Sequence, residues 1–162
     1  SFRIFAMFTD SGEFQNYKGR WAGKAWSGKY VVTANHLEEY EDGNLETQTS
    51  RPKNLSGDKP VVILMNGGSA SASEAFAGAM RHYRGAELVG VTSFGKGIMQ
   101  HTFQLDGGRA IKMTTAKLYL PDGTSIHGIG LKPTHTVVKA KGQDNQLDKA
   151  MEVAVDKVKN EP

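Results

Sequence analysis

Apolar residues change their spacing along the chain, and the changes predict where strands and helices lie. Residues 61–65 (VVILM) form a continuous apolar run, as in a strand that is buried on both faces. From Ala72 onward apolar residues recur in steps of three and four, which predicts an amphipathic helix that ends near Gly85. Residues 86–91 (AELVGV) have the pattern of the next strand. We therefore expect a β-α-β unit with parallel strands and a right-handed crossover.

The second half of the chain alternates apolar and polar positions and then returns to helical spacing. In residues 98–126 apolar and polar positions alternate, and turn signals interrupt the alternation at 106–108 (DGG) and 121–123 (PDG). This pattern predicts antiparallel hairpins. Near the end, apolar residues recur every three or four positions, and this spacing predicts a last helix packed on the sheet: Leu147, Ala150, Met151, Ala154, Val155 and Val158.

The N-terminal part mixes aromatic and basic residues. Within residues 14–37, tyrosine and tryptophan are interleaved with Lys18, Arg20, Lys24 and Lys29, and no acidic residue occurs. Stacking combined with positive charge would suit nucleic acid or a polysaccharide. The glycine spacing favours instead a pair of short strands whose aromatic side chains pack inward while the lysines stay in water. Residues 50–60 are rich in turn formers and are predicted to be a connector.

Composition narrows the class of protein. The chain has 162 residues of which 38% are hydrophobic, enough for one domain or for part of a larger one. A net charge of +3 is too small to indicate nucleic acid or an anionic membrane as the main partner. No apolar run is long enough to span a membrane, and no signal-peptide pattern is visible. The absence of cysteine excludes disulfides and cysteine nucleophiles and leaves the compartment open.

Three serines alternate between the predicted strand and helix, in residues 65–76 (MNGGSASASEAF). Ser71 and Glu74 have the S-x-x-E form of a capping box, which is the more common meaning of such a pattern. The same position suits a nucleophile, because a hydroxyl that follows a buried strand and a glycine turn lies at the carboxyl edge of the sheet. An oxyanion formed there would face the first amides of the helix. Ser69 and Ser73 are predicted to be turn and helix-start residues.

A serine nucleophile needs a base, and Lys96 in "FGKG" is one candidate. Its glycine neighbours allow a tight loop that would draw the side chain into a partly apolar pocket, and burial disfavours the charged form of an amine. An exposed loop lysine is the plain alternative. Residues 90–97 (GVTSFGKG) also nearly match a phosphate-binding loop. However, Gly97 replaces the hydroxyl that binds Mg²⁺, and a strand rather than a helix is predicted to follow.

A histidine is the remaining alternative for the base. His127 lies near Asp122 in the sequence, and with Ser71 the two could form a triad, since triads are defined by geometry rather than by spacing. The other histidines lack the spacing of metal ligands such as H-E-x-x-H. We therefore expect no catalytic metal.

Three segments in order resemble the catalytic region of the C-terminal processing peptidases, also called tail-specific proteases. The segments are "PVVILMNGGSASASEAFAGAM", "GAELVGVTSFGKGIMQ" and "AIKMTTAKLYLPDGTSIHGIGLKPT". The resemblance is close over about residues 58–140, and the last predicted helix is similar to that of the family. It implies an α/β fold of the Clp protease and crotonase type, a layered sheet with helices and with β-hairpins after the catalytic helix.

The resemblance also implies roles for particular residues. Ser71 matches the family's nucleophile, Lys96 its general base and Gln100 a glutamine that assists the lysine. The amide of Ala72 would be one oxyanion donor. Glu74 matches the motif's acid and is taken as a helix-start partner rather than a proton carrier. The implied reaction is hydrolysis of peptide bonds near the unstructured C-termini of protein substrates through an acyl-enzyme, with no cofactor.

The resemblance divides the chain into three parts. Residues 1–60 are an N-terminal segment poorly matched to the family, residues 61–140 the protease core, and residues 141–162 a C-terminal helix that packs on it. The family's PDZ domain and the glycine-rich loop that supplies a second oxyanion donor are not recognisable, so both are expected upstream and the isolated chain is expected to be weakly active or inactive. The family implies a location outside the cytoplasm, in the periplasm or cell envelope. A noncatalytic module of the same fold, binding peptides or hydrophobic ligands, is the competing interpretation.

Overall fold

A computed structural model describes residues 1–160. Its helices are α1 (Phe2–Phe5), α2 (Ala72–Arg84) and α3 (Asn145–Asn160), and a short 3₁₀ turn covers Asp106–Gly108. The strands are β1 (Gly12–Trp21), β2 (Lys24–Val32), β3 (His36–Glu41), β4 (Asn44–Ser50), β5 (Val62–Met65), β6 (Glu87–Gly90), β7 (Ile98–Gln104), β8 (Ala110–Tyr119) and β9 (His135–Thr136).

These strands form two sheets. A six-stranded antiparallel sheet has the order β4-β3-β2-β1-β8-β7, and a three-stranded parallel sheet has the order β5-β6-β9. Pairing of β1 with β8 joins the N-terminal segment and the later hairpin in one sheet. The protein is therefore a mixed α/β fold, as predicted, and the predicted parallel pair of a β-α-β unit is present as β5, α2 and β6.

Helix α2 lies between two groups of buried apolar residues. Ala75, Ala79 and Met80 belong to a cluster with Phe5 and Phe14 of the N-terminal part. On another face the helix meets a second cluster, which is formed by Met65, Ala77, Leu88, Leu120, Ile126 and Leu131. The C-terminal end of α2 is capped by Gly85 in the left-handed conformation, which confirms the predicted end of the helix. Burial on both sides fixes the start of α2, where the serines lie.

The N-terminal hairpin differs in length from the sequence prediction. Strands β1 and β2 have 10 and 9 residues, so they are longer than the predicted short strands. Tyr17 is buried, as predicted for its inward-facing group, and Lys24 and Lys29 are exposed. Trp21 at the end of β1 is 46% exposed and contacts the rings of His101 and Phe103. The prediction that all the aromatic residues pack inward is therefore wrong for Trp21.

The region after α2 forms one hairpin where the alternation predicted more than one. Strands β7 and β8 pair antiparallel across the turn at 106–108, as expected. At 121–123 the chain makes a turn, in which the Leu120 amide donates to the Thr124 carbonyl at 2.9 Å. Within residues 1–160, no strand after this turn pairs with β8. Residues 126–131 instead pack against the loop that carries Lys96, because Gly95 and Gly97 let the two backbones approach.

The last helix packs on the parallel sheet, as predicted, but through a face that overlaps the predicted apolar stripe only in part. α3 contacts β5 and β6, and its buried residues are Ala150 and Val153. Much of the predicted apolar stripe faces outward: Leu147, Met151, Val155 and Val158 are between 44% and 64% exposed. Within residues 1–160, no helix is both long enough and apolar enough to cross a lipid bilayer.

Candidate active site

Ser71 is held in a strained backbone conformation at the start of α2. It is the N-cap residue, with φ 58° and ψ −115°. Among residues 1–160, the other non-glycine residues with positive φ are Ala22 and Asp42, and both lie in the tight turns of hairpins. Such a conformation costs about 1–3 kcal/mol and persists where the surroundings impose it, which is common at active sites. The backbone therefore singles out Ser71 among the three serines.

Hydrogen bonds between residues close in the sequence form the turn before Ser71. The Ser69 hydroxyl accepts from the Asn66 amide at 3.1 Å, and the Asn66 carbonyl accepts from the Ser69 amide at 2.9 Å. Ser69 is thus a turn residue, as predicted. Ala72, the first residue of the helix, is exposed, and amides in the first turn of a helix have no carbonyl partner within the helix. The Ala72 amide therefore has no carbonyl partner within the helix, and its role as an oxyanion donor stays a prediction.

Glu74 joins the serine turn to the lysine loop. The residue is 1% exposed, and its Oε2 accepts from the Ser71 amide at 2.7 Å and from the Lys96 amide at 2.9 Å. Its Oε1 accepts from the Gly95 amide at 2.7 Å and from the Ser93 hydroxyl. The bond to Ser71 is the glutamate half of the predicted capping box. The other three bonds go to residues 19 to 22 positions away along the chain.

The loop that carries Lys96 is fixed from two sides. The Phe94 amide donates to the Ser69 carbonyl at 2.9 Å, and the Gly95 carbonyl accepts from the Gly128 amide at 2.9 Å. A Cβ atom at Gly97 would lie 2.8 Å from the His127 amide nitrogen, so this position has no room for a side chain. Lys96 itself is half-buried. Its backbone is thus firmly placed beside the serine turn.

The side chains predicted to act together are only partly joined by hydrogen bonds. Over the described part of the chain, no hydrogen bond links the Ser71 hydroxyl to the Lys96 ammonium group. Gln100, on β7, donates its side-chain amide to the Thr114 hydroxyl at 3.4 Å. This bond is long and therefore weak. The structure brings the backbones of Ser71 and Lys96 together and leaves the dyad and the role of Gln100 as predictions.

His127 is adjacent to the lysine loop, but its ring is exposed to solvent. Asp122 uses its Oδ1 to accept from the amide and the hydroxyl of Thr124 within the turn. Burial acts to raise the pKa of Asp122, but the hydrogen bonds from the Thr124 hydroxyl and amide together outweigh it, so the pKa is lowered. The carboxylate is therefore committed to its own turn, and the His127 and Asp122 pair has no support from hydrogen bonding in the described residues.

Two cavities are lined in part by Ala72, the first residue of α2. One, of about 320 Å³, is lined mainly by apolar side chains, and Glu74 and Ser93 are among the polar residues at its wall. The apolar lining residues include Ile63, Leu64, Met65, Ala72, Phe76 and Ala77. The other, of about 210 Å³, is lined by Ser71, Phe14, Tyr30 and Leu118 among others. Burial and the nearby Glu39 raise the pKa of Tyr30, so its phenol stays neutral. An apolar side chain of a ligand would thus fit beside Ser71.

The segment that follows the lysine loop bears on the phosphate-binding alternative. Residues 98–104 after the lysine loop form strand β7, which confirms the expected strand and removes the helix N-terminus that a phosphate-binding loop requires. In residues 1–160, no group of three or more His, Cys, Asp or Glu side chains is arranged to hold a metal ion. Sequence reasoning missed Ser93, whose buried hydroxyl carries no periodic or motif signal of its own.

Comparisons with known proteins place this geometry among the peptidases. The sequence profile of "Peptidase family S41" matches residues 1–137, which includes the N-terminal segment. A carboxy-terminal-processing protease of Bartonella bacilliformis is 47% identical over 98 residues, covering 57% of this chain and 23% of that relative. A probable CtpA-like serine protease of Staphylococcus haemolyticus is 40% identical over 107 residues, covering 66% of this chain and 22% of the relative. The chain spans less than a quarter of the length of these two relatives.

Solved structures show the same fold at low sequence identity. A photosystem II D1 C-terminal processing protease has a TM-score of 0.60 and 23% identity, with 93% of this chain and 33% of that chain covered. A putative peptidase from Parabacteroides merdae has a TM-score of 0.65 and 18% identity, with 95% and 46% covered. The predicted fold type is therefore confirmed, while the division of the chain into three segments stays a prediction.

Proposed function

This chain belongs to peptidase family S41, and we propose that it supplies the catalytic serine and lysine of a serine endopeptidase. The observation that carries the proposal is the strained Ser71 at the start of α2, whose amide shares one carboxylate oxygen of Glu74 with the amide of Lys96. A strained serine at a helix start, fixed beside a lysine loop, is an arrangement suited to nucleophilic catalysis.

In the proposed reaction the Ser71 Oγ attacks the carbonyl carbon of the scissile peptide bond while the neutral Lys96 Nζ takes the hydroxyl proton. The carbonyl oxygen becomes an oxyanion beside the Ala72 amide. When the C–N bond breaks, the leaving amine takes the proton from Lys96, and an ester on Ser71 remains. Lys96 then activates water, which hydrolyses the ester, releases the carboxylic acid and restores the serine hydroxyl.

Gln100 is proposed to orient the lysine amine. It lies four residues after Lys96, at a register shift between β7 and β8, and such irregularities re-aim side chains near active sites. Its bond to Thr114 is long at 3.4 Å, so little is lost when the amide turns toward Lys96. Because Gln100 is proposed only to orient the base, its removal should lower turnover less than removal of Lys96.

The proposed substrates are proteins and peptides with nonpolar, unstructured C-terminal tails. The cavity of about 320 Å³ beside Ala72 is mainly apolar, which suits a nonpolar substrate side chain. We propose that a PDZ domain in the full-length protein captures the tail and that a glycine-rich loop supplies the second oxyanion donor. We further propose that the protein acts in the periplasm or cell envelope, which fractionation of producing cells would test.

The test is cleavage of a peptide with an apolar, unstructured tail by the full-length protein. Ser71→Ala and Lys96→Ala should each lower kcat by at least about 10³-fold, while the exposed neighbour variant Ser73→Ala should retain it. Full activity in Lys96→Ala would exclude lysine as the base, and loss in His127→Ala with intact folding would assign that role to the histidine. Tight binding of the tail without turnover by the unaltered protein would support the noncatalytic module instead.

A further inference from the structure

Ser93 is a buried hydroxyl that the proposed reaction does not use. The residue is 7% exposed. Its hydroxyl donates to Glu74 Oε1 and accepts from the Leu131 amide at 2.6 Å, while its own amide donates to the Leu131 carbonyl at 3.1 Å. The hydroxyl is thus pinned between the segment that follows residue 126 and the carboxylate at the start of α2. Its direction is fixed by two partners, as expected for a buried polar group.

Glu74 distributes its four hydrogen bonds evenly. Oε1 accepts from Ser93 and Gly95, and Oε2 accepts from Ser71 and Lys96. The orientation of the carboxylate plane is therefore set on one side by Ser93 and Gly95. Through Oε2, the carboxylate in turn fixes the backbone positions of Ser71 and Lys96, the two residues of the proposed dyad.

We propose that Ser93 is a positioning residue that acts through Glu74 to fix the Lys96 loop relative to Ser71. This inference rests on the proposed function and extends it to a residue outside the reacting groups. Within residues 1–160, Ser93 makes no hydrogen bond to Ser71 or to Lys96. Ser93 can therefore affect catalysis only by positioning the Glu74 carboxylate, because its hydroxyl binds Oε1 while the Ser71 and Lys96 amides bind Oε2.

Loss of the Ser93 hydroxyl should displace the carboxylate without removing it. Gly95 remains a partner of Oε1, and Ser71 and Lys96 remain partners of Oε2, so the carboxylate stays buried and paired. With one of its two constraints gone, the Oε1 side is free to tilt, and Oε2 moves with it because the group is rigid. A displacement of about 1 Å at reacting groups lowers rates by about 100-fold.

The experiment compares Ser93→Ala, Ser93→Thr and Thr92→Ala in the full-length protein with the same tailed peptide. Thr92 is exposed and adjacent in the same loop, so it controls for loss of a hydroxyl there. We expect Ser93→Ala to lower kcat by about 10-fold to 100-fold with KM within about twofold, since the substitution removes one oxygen from the wall of the cavity of about 320 Å³ and leaves the apolar side chains of that cavity in place. Ser93→Thr, which keeps the hydroxyl, should recover most of the turnover, and Thr92→Ala should match the unaltered protein.

A second measurement reports the geometry without needing activity. Amide hydrogen exchange at Ser71 and Lys96 should be faster in Ser93→Ala than in Thr92→Ala, because both amides depend on the placement of Oε2. Full kcat in Ser93→Ala, or a loss explained by a smaller folded fraction in denaturant titration, would overturn the proposal. So would unchanged exchange at the two amides. If the unaltered protein fails to cleave peptides while exchange still responds to Ser93, the proposed function is wrong and the hydrogen-bond link from Ser93 to the two amides stands.

Discussion

Ser71 and Lys96 donate their backbone amides to the same atom, Oε2 of Glu74, at 2.7 Å and 2.9 Å. The two residues are 25 positions apart in the sequence and lie in different loops. Their relative position is thus set by a buried carboxylate rather than by a bond between hydroxyl and ammonium groups.

Replacement of Glu74 by glutamine should be strongly destabilising. The substitution keeps the shape of the side chain but turns one oxygen into an NH₂ group, which would face amide or hydroxyl donors in a buried site. We expect the free energy of unfolding to fall by about 3 kcal/mol. Urea denaturation measures this, with Glu152→Gln as the control because that side chain is 58% exposed. A fall of less than about 1 kcal/mol would mean that the four bonds contribute little.

A methyl group at position 97 should disturb the lysine loop. A Cβ atom there would lie 2.8 Å from the His127 amide nitrogen and 3.1 Å from the His127 Cβ. Since part of that contact is backbone, the loop must shift, and overpacking of this kind costs about 1–3 kcal/mol. Gly67→Ala is the control, because no atom of residues 1–160 other than those of its chain neighbours lies within 4 Å of its added Cβ. Equal unfolding midpoints for the two variants would contradict the tight packing of residues 126–131 on the loop.

Leu120 should contribute more to stability than an exposed leucine. It is 3% exposed, and its side chain fills the space that Gly78 leaves on α2, where an added Cβ would lie 2.6 Å away. Leu120→Ala should lower the free energy of unfolding by about 2–5 kcal/mol, since it opens a cavity in the core. Leu55→Ala, at a residue that is 65% exposed, should change it by about 0.5 kcal/mol or less.

Glu87 should link stability to pH at the junction between α3 and the parallel sheet. Its carboxylate is 3.3 Å from the Lys157 ammonium and 3.2 Å from the His135 ring. The pKa of Glu87 is lowered from its ordinary 4.5, first by the Thr134 hydroxyl and then by Lys157, with burial opposing both. A lowered pKa means that the carboxylate stabilises the fold above pH 4.5 and that this contribution is lost as the pH falls below it.

The corresponding experiment is urea denaturation of the unaltered chain and Glu87→Gln at several pH values. The difference in unfolding free energy should be largest near neutral pH, about 1 kcal/mol or less because the group is partly exposed. It should shrink as the pH falls through values below 4.5. Lys157→Met as a second variant tests the partner. A difference that grows on acidification would show that Glu87 is not held in its charged form.

Two valines of α3 should contribute very different amounts to the free energy of unfolding. Val153 is 7% exposed and Val155 is 44% exposed, although the hydrophobic spacing included the second and not the first. Val153→Ala should lower the free energy of unfolding by about 2 kcal/mol, and Val155→Ala by about 0.5 kcal/mol or less. Thermal or urea unfolding of the pair decides which face of the helix packs on the sheet. If Val155→Ala were instead the more destabilising variant, Val155 would face the sheet, as its place in the predicted apolar stripe implies.

Local features of the chain could be predicted from the sequence, because they depend on neighbouring residues. The run at 61–65, the glycine turn and the spacing from Ala72 determine a strand, a turn and a helix through short-range sterics and periodicity. The capping pattern at Ser71 and Glu74 identified the start of the helix for the same reason. The serine candidate needed only this local reasoning and the resemblance of its motif.

Features that depend on distant partners could not be predicted. Pairing of β1 with β8, the outward face of Val155, and the single hairpin after α2 all follow from which surfaces meet, and apolar spacing alone does not specify a partner. Burial of Ser93 has the same origin, since Leu131 and Glu74 reach it only in the folded chain.

The sequence by itself determined the strand, turn and helix that carry Ser71, the glycine-flanked loop that carries Lys96, and the family to which these motifs are similar. Only the tertiary structure decided that Glu74 would be the shared acceptor for both backbones. It also decided that Ser93 would reach the same carboxylate. The physical reason is that a buried carboxylate must satisfy all its lone pairs with donors, and the donors available to it come from segments that only folding brings together.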